Sequence, residues 1–448
     1  MRTITSHAIG LNRRQALIAG LTAGGVALAV GLGMRTNEPQ PAHEQLQQAA
    51  QQNPPTRNDQ VMWSYQELAR NNPQNAEVRA ILAATYLQKA RETGDPSYYG
   101  KAEQVVDQAL TIDPQHIDAL ITKGTLALAR HQFREALAIG EQALRISPLV
   151  VAILGVIADA QIELGMYVAA DTTIQEMVRK RPDLSSFSRV SYIRELYGDI
   201  PGAINAMARA VQAGGPASEN VEWARIQLGN LSFNQGDLDA AEHQYRISLQ
   251  LLPDYIYAIA GMARVLAARG EYAAAVKAYQ QAILRMPLPE FVIGLGELFE
   301  SAGQQAAANQ QYQLVRAMQQ LFTANGVDTD LELALFEADH GQNPQAAVAM
   351  ARSAYQRRPS MKGADTLAWA LYKQGNTSEA ATYANQALAL GTQDATFFFH
   401  AGMIAHANGA STAAYQYLQH SITLNPTFSP LHAPKVYETL AILKQVHT

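Results

Sequence analysis

Cysteine is absent from the 448 residues. That single absence excludes disulfides, thiolate metal sites, cysteine nucleophiles and a lipid-modified cysteine anchor together. Zinc would have to rely on histidine and carboxylates alone, and the spacing of the histidines argues against it: His400 and His406 are six apart and share no helix face. Charge is also scarce. Charged residues make up 16% of the chain, with a net charge of −5, against about 25% in typical soluble domains. No cluster of Lys and Arg provides the basic footprint that phosphate-dominated nucleic-acid binding needs, so no nucleic-acid partner is expected. The catalytic signatures H-E-x-x-H, G-x-S-x-G and the P-loop are missing too. Asp159 and Glu163 are the one close carboxylate pair on the candidate groove face, and they lie on a single helix. The chain reads as no enzyme, with no cofactor and no metal.

What is present is a period. Pro114, Pro148, Pro182 and Pro216 stand 34 residues apart, and Pro253 and Pro287 repeat the interval. Between them fall Gly165, Gly198, Gly236, Gly270, Gly303, Gly341, Gly375 and Gly409 at intervals of 33, 34 or 38. A fixed period of this length marks an array of supersecondary units in place of one compact core. It accommodates two helices of about four turns and two short turns. In the stretch from Glu222 to Pro253, Ile226, Leu228, Leu231 and Phe233 follow a helical spacing. Gly236 closes that helix, since positive φ costs glycine little. Asp237 is placed to cap the next, and Pro253 stops it. Ala241 and Tyr245, four apart, share the face that meets the first helix.

These marks resemble the tetratricopeptide repeat, W-x₂-L-G-x₂-Y…A-x₃-F…P. Leu228-Gly229 match its L-G pair, Ala241 and Tyr245 its A-x₃-F, and Pro253 its proline, whereas Arg225 and Ser232 depart from the aromatic positions. Ala275, Tyr279 and Pro287 repeat the second half, as do Ala414, Leu418 and Pro426. The resemblance covers roughly residues 74 to 426; no proline stands near 321, and Thr392 takes a proline place. It implies an all-α fold, a right-handed α-α superhelical solenoid of about ten helix-turn-helix repeats over 59–426. Val436, Leu440 and Leu443 share one face of a C-terminal capping helix expected at 430–446. In such arrays each unit is expected to couple to its nearest neighbours. Two intervals of 38 break the period, through the loop at 213–220 and through a long second helix near Gln305 to Asn325.

The resemblance further implies that the first helix of each unit lines a concave face that binds protein or peptide. The candidate partner-binding residues there are Arg189, Trp223, Asn230, Tyr257, Arg264, Phe336, Trp369 and Tyr372, aromatics and arginines being the side chains that dominate interface hot spots. A lysine-asparagine-arginine carboxylate clamp is incomplete, because Ile226 and Ala260 are apolar or small beside Asn230 and Arg264. The expected function is a non-enzymatic scaffold or adaptor. An assembly factor for envelope or cofactor-containing complexes is the alternative, and a glycan-binding or enzymatic groove a further one. Self-association is also open.

The N-terminus carries an address. Arg13 and Arg14 precede Ala16–Met34, a run without charge in which Thr22 is the one polar residue. The run is long enough to span a bilayer, and the upstream positive charge keeps the N-terminus cytoplasmic. The stretch from Asn12 to Leu17 resembles a twin-arginine export signal, although the phenylalanine usual after the arginines is missing. Residues 1–34 are thus expected to be a signal peptide or membrane anchor that meets the export machinery or the bilayer. Residues 35–58 form a Pro/Gln-rich linker, and the solenoid is expected on the extracytoplasmic side.

Overall fold

The computed structural model describes residues 57–215 and 219–446. The apolar run 16–34, the linker before residue 57 and the centre of the 213–220 loop lie outside the described residues. Among those described there are helices and no strands. A first helix, α1 (Arg57–Asn71), leads into ten helix pairs. They are α2 (Ala76–Thr93) with α3 (Ser97–Ile112), α4 (Ile117–Ala129) with α5 (Phe133–Ile146), α6 (Val151–Glu163) with α7 (Tyr167–Lys180), α8 (Leu184–Leu196) with α9 (Ile200–Ala213), and α10 (Glu219–Asn234) with α11 (Leu238–Leu251). Next come α12 (Ile256–Ala268) with α13 (Tyr272–Arg285), α14 (Pro289–Ser301) with α15 (Gln305–Ala324), α16 (Asp330–His340) with α17 (Pro344–Arg357), α18 (Met361–Gln374) with α19 (Thr377–Ala387), and α20 (Ala395–Ala407) with α21 (Ser411–Leu424). A last helix, α22 (His432–Val446), closes the series.

The local chemistry follows the repeat. Asp237 accepts a hydrogen bond from the Ala240 N–H and caps α11, and Gly236 takes φ +75° after α10. Ala241 and Tyr245 are fully buried. Their companion is Gly229, where a Cβ would stand 2.6 Å from the Tyr245 ring; Gly261 on the next first helix would meet the same ring at 2.8 Å. One tyrosine therefore wedges between two first helices, and each helix yields a Cβ to admit it.

First helices touch the first helices of the next pair, as α2 does α4 and α16 does α18, so they are wrapped on most sides. In α6 every residue from Ile153 to Glu163 is buried, as expected of a helix without a solvent stripe. Second helices bury one stripe, such as Ala275, Tyr279 and Ala282 in α13. The longer second helix, α15, has 20 residues against 14 in α13 and α17, an excess of nearly two turns. Helix α22 buries Val436, Leu440 and Leu443 in the cluster that holds Leu418 and Ile404.

Coupling is not confined to neighbours, and here the expectation is corrected. The solenoid coils so tightly that one superhelical turn rests on the next. The His131 ring N–H donates to the Asp328 carbonyl at 2.8 Å, 197 residues on, and the Asp328 N–H donates to the Arg130 carbonyl. The Tyr167 hydroxyl accepts the Met361 N–H at 2.7 Å, a separation of 194. The Asn425 side-chain amide donates to the Phe233 carbonyl at 2.7 Å, a separation of 192. The same repeat position, the turn between first and second helix, makes the contact each time. Gly165, Gly198 and Gly236 present a bare Cα there to the carbonyls of Pro359, Gly391 and Leu424. His131 fills the position one repeat earlier and is the one non-glycine with positive φ among the described residues.

Candidate functional site

Six of the eight candidate residues are committed to contacts within the solenoid. Arg189 is buried and donates through Nε and Nη2 to the two carboxylate oxygens of Asp159, at 2.8 and 2.7 Å. Burial pulls its pKa down to about 10, with the charge of Asp183 opposing. Trp223 is 1% exposed and packs with Phe187, Met207 and Leu231. Tyr257 stands edge-on to Tyr255 and Phe291, and burial raises its pKa far above the ordinary range. Phe336 lies beside Tyr312 and His340. Trp369 donates its indole N–H to Asp339 at 2.7 Å and stacks on His400 at 4.1 Å. Tyr372 stacks on Trp369 at 4.8 Å.

Trp369 anchors a buried polar ladder across the C-terminal first helices. His432 on α22 reaches Asp339 at 3.5 Å, and His400 reaches Asp365 at 3.0 Å. Burial by itself would raise the pKa of Asp339. The hydrogen bond and charge of His432, the charge of His400 and the Trp369 N–H outweigh it and hold the carboxyl well below the usual range. The ladder ties α16, α18, α20 and α22 together, although the His400 Nε2 is buried without a hydrogen-bond partner.

Asn230 and Arg264 are placed differently: they line open space. Two clefts flank the Arg264 guanidinium, both on the seam between superhelical turns. The larger, about 540 Å³, has Phe233, Ala268, Tyr272, Tyr279, Gly294 and Glu297 on one side. Its other side is the segment from Pro426 to Pro430, with Ala433, Pro434 and Tyr437 of α22. The smaller, about 320 Å³, lies between α8, α10 and α12 and the N-terminal ends of α18 and α20. Its lining is rich in carboxamides: Gln227, Asn230, Asn234, Gln235 and Gln393.

Arg264 is held by its surroundings without being neutralised. Its guanidinium lies 4.0 Å over the Phe233 ring and donates to the side-chain oxygens of Asn230 and Asn234, each at 3.3 Å. Asn230 also accepts from the Tyr245 hydroxyl at 2.7 Å. No carboxylate among the described residues comes within ion-pair distance of Arg264. The one carboxylate lining the larger cleft, Glu297, faces His340 at 3.6 Å. Gly294 leaves room for the Tyr279 hydroxyl, which a Cβ there would meet at 2.6 Å. Elsewhere, Glu290 at the start of α14 has both carboxylate oxygens buried without a hydrogen-bond partner, and burial raises its pKa to about 8.

Sequence reasoning named Asn230 and Arg264 but missed the walls around them: Phe233, Tyr272, Tyr279, Glu297 and the whole C-terminal side. A signal was available in Pro426, Pro430 and Pro434, three prolines in nine residues after the last repeat. Nothing in it pointed to α12. No group of three or more His, Asp or Glu among the described residues could hold a metal ion, and no helix among them is long and apolar enough to cross a membrane.

Tetratricopeptide-repeat family models match residues 261–320 and 366–427, and a second such model matches residues 127–191. The chain therefore carries tetratricopeptide repeats, a module that generally mediates protein–protein interaction. Among curated proteins no sequence match is found. Solved structures to which this chain is similar include TTC0263, a thermophilic TPR protein of Thermus thermophilus, at 20% identity over 45% of this chain and 100% of that one, TM-score 0.38. The APC/C hetero-tetramer Cut9–Hcn1 matches at 15% identity over 90% of this chain and 94% of that one, TM-score 0.37. YrrB, a TPR protein with an unusual peptide-binding site, matches at 16% identity over 43% and 95%, TM-score 0.28.

Proposed function

Starting from a chain that carries tetratricopeptide repeats, we propose that it is a non-enzymatic scaffold holding a peptide or protein segment at the seam, in the clefts on either side of Arg264. The observation that carries this reading is the state of that guanidinium: fixed over Phe233 and two asparagines, facing open space on both sides, and without a carboxylate partner. A charge kept half-buried with neutral partners alone costs desolvation, and an incoming group that completes it recovers that cost. The other candidate residues support the frame instead, since they are spent on packing and ion pairs.

The scaffold acts outside the cytoplasm, exported or tethered through residues 1–34; Arg13, Arg14 and the apolar run Ala16–Met34 support this. Replacing Arg13 and Arg14 by lysine should leave the protein in the cytosolic fraction. Unchanged fractionation would remove the twin-arginine route, and a parent protein found in the cytosolic fraction would remove the export reading.

A photo-crosslinking residue at Tyr437, on the cleft rim and 48% exposed, tests the scaffold reading in cells. It should trap a recurrent partner that is lost on Arg264→Ala and is not trapped from Leu284, which is 88% exposed and away from the clefts. Identical products from Tyr437 and Leu284 would count against the seam as the binding site.

A further inference from the structure

The two clefts differ in chemistry. Given the peptide-binding reading of the seam, on which this inference rests, the difference specifies what they take. The larger cleft is walled by aromatic rings and prolines: Phe233, Tyr272, Tyr279, Phe428, Pro430 and Tyr437. Proline has one fixed φ, so that wall is formed before anything binds and little ordering cost remains. Its volume, about 540 Å³, is in the range of ordinary ligand pockets and admits a large apolar side chain. The carboxamides of the smaller cleft are mostly bonded within its wall: Gln393 donates to the Gly391 carbonyl and meets the His420 ring, Gln235 donates to the Gln393 carbonyl, and Asn230 donates to Gln227 while accepting from Tyr245 and Arg264. The larger cleft and Arg264 therefore define the ligand.

Between the clefts stands Arg264, the uncompensated cation. A single planar guanidinium fits one carboxylate in a bidentate pair. Phosphorylated motifs are commonly met by clusters of arginines, and no second arginine lines either cleft; Lys362, in the smaller one, donates to the Tyr192 hydroxyl at 3.1 Å. The three carboxylates that line the clefts do not compete for Arg264: Glu297 faces His340, Asp394 accepts the backbone N–H groups of Thr396 and Phe397 at the start of α20, and Glu195 makes no ion pair with Arg264.

We infer that the seam binds an acidic-aromatic peptide segment. An Asp or Glu of the segment pairs with Arg264. A neighbouring aromatic side chain enters the proline- and tyrosine-walled cleft. The site is composite, made from α10, α12 and α14 of one superhelical turn and from the chain around α18, α20 and α22 of the next.

The test is selection of a phage-displayed library of random octapeptides on the full-length protein, followed by anisotropy titration with the selected peptide carrying fluorescein. Selected sequences should place Asp or Glu within a few residues of Phe, Tyr or Trp. Affinity should fall by ~10-fold or more on Arg264→Gln, and likewise on Tyr437→Ala, a rim substitution that leaves the core intact. Arg264→Glu should redirect selection to Lys and Arg. Circular dichroism and thermal melts confirm that each variant is folded. Peptides lacking an acidic residue, or indifferent to Arg264→Gln, overturn the inference while leaving peptide binding in place. If no peptide is enriched and crosslinking from Tyr437 traps no protein, the inference and the scaffold reading fail together.

Discussion

The Cα of Gly198 lies against the carbonyl oxygen of Gly391, so close that a Cβ at Gly198 would overlap it. Both glycines have positive φ, +77° and +80°, and each ends one segment of a different superhelical turn. Gly270 occupies the same repeat position with φ +79°, yet nothing lies within 4 Å of a Cβ built there. The pair is a natural control. Gly270→Ala should cost only the left-handed backbone penalty of ~1–2 kcal/mol. Gly198→Ala should add an overpacking cost of ~1–3 kcal/mol as the turns are pushed apart. Urea unfolding of the two variants measures the difference, and equal losses would mean that the turns do not press on each other in solution.

Removal of one whole unit is a stronger test of the same contact. If coupling ran through nearest neighbours alone, deleting residues 272–305 would leave a helical protein that is simply less stable. The seam demands partners about 194 residues apart, and the deletion shortens that separation by one repeat. Helicity per residue should survive, while the turns at Gly165 and Gly198 lose protection from amide exchange. Retained protection at both turns would show that the seam carries no coupling.

Glu290 predicts a pH dependence. Its ordinary pKa of 4.5 is raised to about 8 by burial. Between those values the folded chain holds a proton that the unfolded chain has released, so stability is highest below about pH 4.5 and declines as pH rises toward 8. The loss across that window is on the order of a few kcal/mol. Glu290→Gln removes the proton and should flatten this part of the stability profile between pH 5 and 8. Denaturant midpoints at the two pH values measure it. A profile as steep as that of the parent would mean that Glu290 finds a partner in solution.

Ala275 is fully buried where α13 meets its neighbours, beside Tyr279 and Ala282. Ala275→Leu inserts three carbons at a close helix approach and should destabilise by ~1–3 kcal/mol. A thermal melt within error of the parent would place that approach farther apart than the structure has it.

The sequence alone determined the helix pairs, their number and their caps, because those depend on short-range chemistry that repeats. Gly236 sits at positive φ, Asp237 caps α11, Ala241 and Tyr245 face inward, and all of this could be read from a 34-residue window. The tertiary structure decided which residues of the first helices are still open to a partner. Trp223, Phe336 and Trp369 have the composition of a binding surface but are spent in the core. Arg264 looks no different from Arg189 in sequence, yet Arg189 meets Asp159 and Arg264 meets two amides and the Phe233 ring. The seam was beyond reach for a physical reason. Its contacts are made by glycine Cα atoms and main-chain carbonyls, which carry no side-chain signature. Their pairing also depends on small rotations accumulated over roughly six repeats, and no local pattern encodes that sum.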